Sequence, residues 1–135
     1  MKAKGKSKKV KVKEAGSPRD IKERTFNFAL EIVRLCRSLD SRPGSLRTLV
    51  QQLLRSGTSV GANVEEAQAG QSRADFISKY SIALKEARET LYWLRLLEAS
   101  GELSNGSCNL LLKEADEIAR VLASIIVRTK KATRD

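Results

Sequence analysis

The sequence predicts an all-α fold, an antiparallel up-down-up-down four-helix bundle preceded by a flexible basic N-terminal arm. Three observations carry this. Four stretches repeat apolar residues at three- and four-residue spacings, the period of one helix face. Short segments of Gly, Pro, Ser and Asn separate them, and period-two alternation, the strand signal, appears nowhere. The chain has 135 residues, and the stretch 18–128 suffices for one domain that buries roughly two-thirds of its unfolded surface. The domain division expected is an arm over 1–17, a bundle over 18–128 and a basic tail over 129–135.

Residues 1–16 alternate Lys with small residues and offer almost nothing to bury, so nothing offsets the entropy of ordering them. Ser17-Pro18-Arg19-Asp20 then supplies an N-cap serine, a proline at the first helical position and an acid three residues after the cap. In the first helix Ile21, Phe28, Ile32, Leu35 and Leu39 share one face, with Ala29 and Cys36 alongside. Phe26, Leu30 and Val33 form a second apolar stripe displaced around the cylinder, wider than a two-layer contact requires. Asp40-Ser41-Arg42-Pro43-Gly44 breaks the pattern with turn chemistry.

The second helix is expected from Ser45 to Ala69, where Leu46, Val50, Leu53, Gly57, Val60, Val64 and Ala67 alternate by four and three. Gly57 and Gly61 lie within it, and each glycine in a helix costs about 1 kcal/mol relative to alanine. A close helix crossing or a bend must offset that cost. Ser72 caps the third helix with Asp75 at the capping-box position. Its inner face reads Phe76, Tyr80, Ala83, Ala87, Leu91, Leu94 and Leu97, widened by Ile77, Leu84 and Trp93. After a Ser/Asn/Gly-rich loop over 100–107, the fourth helix turns Leu111, Ala115, Ile118, Leu122 and Ile125 inward and is expected to end near Arg128.

The excess of positive charge is confined to the ends. Of 26 basic and 16 acidic residues, Lys2, Lys4, Lys6, Lys8, Lys9, Lys11, Lys13 and Arg19 face only Glu14 within 1–19. Arg128, Lys130, Lys131 and Arg134 face only Asp135 within 128–135, which leaves 14 of each sign between the two segments. An even number of antiparallel helices returns the chain to its start, so the two basic segments should form one cationic pole. These twelve cations are the candidate nucleic-acid contacts. Aromatics are 4% of the chain and none lies in either basic segment. The contacts expected there are therefore to phosphates, salt-sensitive and weakly selective for sequence.

Other chemistries find little footing. The chain has no histidine, which removes the usual general base and metal ligand; no catalytic residue and no cofactor is expected. Glu65, Glu66, Glu86, Glu89, Asp116 and Glu117 supply helical carboxylates, but a di-metal bundle site wants Glu-x-x-His motifs, so these read as a solvated face and no metal is expected. Cys36 and Cys108 sit within apolar patterns without metal-ligand spacing and read as buried thiols of a reducing compartment, although spacing alone leaves a disulfide between them open. No apolar run approaches the ~20 residues of a membrane span, and the basic N-terminus lacks the apolar core of a secretory signal. A cytoplasmic protein without membrane partners is the expectation.

The stretch Ser59-Val60-Gly61-Ala62-Asn63-Val64-Glu65-Glu66-Ala67 resembles the Ser-Ile-Pro-Ser-Asn-Ile-Ala-Glu-Gly signature of the 23S rRNA-intervening sequence protein family. These are small four-helix bundles first noticed as reading frames within intervening sequences of bacterial large-subunit rRNA genes. Thr25-Phe26, Asp75-Phe76, Ala83, Glu86 and Leu97-Glu98-Ala99-Ser100-Gly101-Glu102-Leu103 extend the similarity over about residues 20–128. Gly61 stands where the family usually has proline, and Ala67 replaces the signature's last glycine. The resemblance implies a ring-shaped homopentamer, with Phe26, Leu30 and Val33 as candidates for its interface. It also implies a fold similar to the accessory variability proteins of diversity-generating retroelements, which bind a reverse transcriptase and nucleic acid.

Asn63 and Glu66, the most specific part of the motif, lie three apart on one helix face and are expected to hydrogen-bond a facing helix, for example at Tyr80 or Arg88. A catalytic role for Glu66 is the lesser reading, because no second acid, histidine or nucleophile accompanies it. The functional expectation is a non-enzymatic oligomer that holds RNA or DNA through phosphate contacts, with a nucleic-acid enzyme such as a reverse transcriptase as candidate partner. The alternative is an oligomeric protein-interaction scaffold whose arms are incidental.

Overall fold

The computed structural model of the protein describes residues 18–70 and 72–134, with side chains from Ile21 to Ala132. Four helices follow one another: α1 (Pro18–Ser38), α2 (Ser45–Gln68), α3 (Arg73–Ala99) and α4 (Asn109–Arg134). Each packs against its two neighbours around a square, α1 closing against α4. Cross-helix pairs fix the directions. Cys36 Sγ donates to the Val50 carbonyl oxygen at 3.7 Å near one end of the α1–α2 pair, and Lys22 meets Glu65 at 3.7 Å near the other. Thr90 and Ser56 hydroxyls lie 2.9 Å apart, and Gln68 Nε2 donates to Tyr80 Oη at 3.0 Å, so α3 runs antiparallel to α2. The loop after α3 folds onto Glu98, which sends α4 back along α3.

The expected inner faces form the core: Ile21, Phe28, Ile32 and Leu39 meet Leu53, Val60 and Val64 of α2, Tyr80, Leu94 and Leu97 of α3, and Ile118 and Leu122 of α4. Each helix buries one apolar stripe, which gives amphipathic helices most of their stability. The two helical glycines mark a close crossing. A Cβ added at Gly57 would stand 2.8 Å from Ile32 Cγ2, and one at Gly61 would stand 3.1 Å from the Thr25 carbonyl oxygen. Close approach, not a break, therefore accounts for both, because α2 is one continuous helix.

The turn before α2 holds Gly44 at φ 74°, a conformation that suits glycine after Pro43. One boundary differs from expectation. The basic segment expected as a tail from residue 129 is instead the end of α4, which continues to Arg134. Apolar periodicity stops near Ile126, so pattern could not see the extension. Lys130, Lys131 and Ala132 are good helix formers, and cations in a last turn complement the helix dipole.

Candidate nucleic-acid interface

With the helices alternating in direction, the start of α1 and the end of α4 share one end of the bundle. Arg24, in the second turn of α1, reaches Glu114 and Glu117 near the start of α4. From Glu117 to Arg134 α4 climbs about 26 Å, whereas only about 9 Å of α1 separates Arg24 from Pro18. The last turns of α4 consequently project past the first residue of α1, on the order of 10 Å after allowing for side-chain reach. Arg128, Lys130 and Lys131 are exposed on this projection, and no described residue beyond Ile126 is buried. Arg134 lies in its final turn and Arg19 in the first turn of α1. Lys2, Lys4, Lys6, Lys8, Lys9, Lys11 and Lys13 lie outside the described residues, as does the Ser17 cap.

The carboxylates are engaged by cations. Glu65 pairs with Lys22, Glu66 with Lys79 at 2.7 Å, Asp116 with Arg120 at 2.9 Å and Glu117 with Arg24 at 3.0 Å. Arg55 serves both Glu86 at 3.3 Å and Glu89 at 2.7 Å. Glu86 departs from the solvated face expected of it, because its side chain is only 12% exposed between α2 and α3. Glu66 does reach the facing helix, at Lys79 and not at Tyr80 or Arg88, whereas Asn63 does not. Asn63 Nδ2 donates back to the Ser59 carbonyl oxygen at 2.9 Å, and Tyr80 is held by Gln68. Among the described residues, no group of three or more His, Cys, Asp or Glu is placed to hold a metal ion.

Sequence reasoning missed two polar centres. Arg24, 9% exposed, is the one buried charged side chain among the described residues; it grips Glu114 with both Nε (3.0 Å) and Nη2 (2.7 Å) and seals the α1–α4 seam. Its position between Ile21 and Phe28 was the available signal. Glu98 receives the backbone N–H groups of Gly106 at 2.8 Å and Cys108 at 3.1 Å. These bonds, Gly106 first, hold its carboxyl below the usual glutamate range. Both cysteines are free and buried. Burial pushes each thiol up to about 11, assisted by Asp40 at Cys36 and by Glu98 at Cys108. Neither has the thiolate character of a reactive site.

The second apolar stripe lies on the outer surface of α1: Phe26 is 63% and Leu30 37% exposed, with Val33 half-buried beside them. No helix among the described residues is long and apolar enough to cross a membrane.

The bundle has counterparts among known proteins. A crystal structure at 1.70 Å of a protein of unknown function from Bacteroides thetaiotaomicron, assigned to the S23 ribosomal protein family, is 41% identical. The match covers 81% of this chain and 96% of that one, with a TM-score of 0.75. No curated protein matches. The family described as 23S rRNA-intervening sequence protein matches residues 19–124, from the first turn of α1 through most of α4, and the chain belongs to that family.

Proposed function

We propose that the protein is a non-enzymatic, oligomeric nucleic-acid-associated bundle that holds RNA or DNA by phosphate contacts at its cationic pole. The observation that carries this is the projecting end of α4, where Arg128, Lys130 and Lys131 stand in solvent beside the point at which the lysine-rich segment joins α1. A helix end that serves no core leaves its cations at the surface, where a polyanion can reach them. The family's name ties its members to ribosomal RNA genes and agrees with an RNA-related role. A ring-shaped homopentamer, with Phe26, Leu30 and Val33 in its interface, would bring several such poles together and raise avidity without new contacts. A reverse transcriptase or another nucleic-acid enzyme is the candidate partner, in the cytoplasm.

The test deletes residues 1–16 and replaces Arg128, Lys130, Lys131 and Arg134 by glutamine. Mobility shifts on RNA or DNA should vanish. The steep fall of affinity with salt should flatten by about one log unit per log of salt for each phosphate the protein no longer neutralises. A parent protein that shifts no nucleic acid at low salt would leave the second reading, a protein-docking scaffold. The observation favouring that reading is the open apolar stripe of α1.

A further inference from the structure

The outer face of α3 carries a charge pattern that the poles do not explain. Lys85, Arg88, Tyr92 and Arg95 follow one another at spacings of three, four and three, which sets all four on one exposed stripe. Along the axis Arg88 and Arg95 bracket Tyr92 at about 6 and 4.5 Å. Glu89, the acid within this span, is taken by Arg55 and by the Trp93 indole N–H, which donates to it at 3.2 Å. Neither Arg88 nor Arg95 has an ion-pair partner among the described residues. Tyr92 is 52% exposed, and its ring meets that of Trp93 at 5.3 Å in an edge arrangement, so the one ring braces the other.

We propose that this stripe binds single-stranded nucleic acid, with Tyr92 stacking on a base and Lys85, Arg88 and Arg95 contacting the phosphates that flank it. An aromatic face between cations is the combination that single-strand binding surfaces use, because every base has a π-face and every nucleotide a charge. The basic pole lacks any aromatic, so it can attract a strand but cannot distinguish bases from bare phosphate. The stripe suits contact between copies of this chain poorly: burying Arg88 and Arg95 against a second copy would desolvate cations that have no ion-pair partner among the described residues. The inference rests on the nucleic-acid reading above and adds a second, base-sensing surface to it.

The protein supplies its own reporter, since Trp93 is the only tryptophan. The full chain is titrated at low salt with a uridine oligonucleotide of about 20 residues and with inorganic polyphosphate of matched charge, following Trp93 emission and affinity. The oligonucleotide should change the emission and polyphosphate should not. Tyr92→Ala should weaken the oligonucleotide about tenfold while leaving polyphosphate within about twofold, and Tyr92→Phe, which keeps the ring, should bind like the parent. The pair Arg88→Gln with Arg95→Gln should weaken both ligands. Oligonucleotide binding that is indifferent to Tyr92→Ala in a protein of unchanged helicity would overturn the proposal; if removing the pole still abolishes binding, the pole reading survives alone. Polyglutamate binding as sensitive to Tyr92→Ala as the oligonucleotide would overturn it in favour of an acidic protein. Absence of binding to every nucleic acid would remove both readings together.

Discussion

At Gly57 the missing methyl is where Ile32 of the neighbouring helix stands. An alanine there gains about 1 kcal/mol of helix propensity, yet it presses on the branched base of a fully buried side chain. Overpacking of that kind costs about 1–3 kcal/mol. Gly57→Ala should therefore lower stability by about 1 kcal/mol, a fall of several degrees in the midpoint of a thermal melt followed by circular dichroism. A raised midpoint would mean that the α1–α2 crossing can open without penalty. The glycines were legible in the sequence as a cost needing an offset, but Ile32 and Thr25 as their partners were not, because a one-dimensional pattern does not give the register between helices. Arg24 was hidden for the same reason: its two carboxylates lie 90 and 93 residues away.

Among the elements, the α3–α4 connection is tied to α3 through the Glu98 carboxylate. Glu98 accepts from Gly106 and Cys108 most strongly when ionised, and its folded-state pKa lies below that of the unfolded chain. Its contribution is accordingly present in full above the ordinary glutamate value of about 4.3 and disappears as pH falls through the lowered value. Glu98→Gln should melt at a lower temperature than the parent at pH 7, and the gap should close as the buffer is taken below about pH 4. A gap independent of pH would show that shape rather than charge holds the loop. Helix existence and core faces were readable because apolar spacing reports them directly; the end of α4 was not, since Thr129 to Arg134 form a helix without an apolar stripe. The α3 stripe was readable in principle, for Tyr92 among Lys85, Arg88 and Arg95 is a local pattern, but its exposure depends on which face Leu94 and Leu97 turn inward.

For the whole molecule, Leu30→Glu tests the outer stripe of α1. The position is 37% exposed, so the subunit should keep its helical signal while light scattering reports smaller species than the parent. Unchanged mass would take Phe26, Leu30 and Val33 out of any self-association. The up-down order also decides how the projecting end of α4 behaves. Beyond Ile126 none of its described side chains is buried, so opening of these turns need not await opening of the rest. Amides from Val127 to Arg134 should take up deuterium far sooner than those of the turns around Ile118 and Leu122. A bound polyanion, by neutralising the crowded positive charge, should slow that uptake and so reveal its own seat, residue by residue.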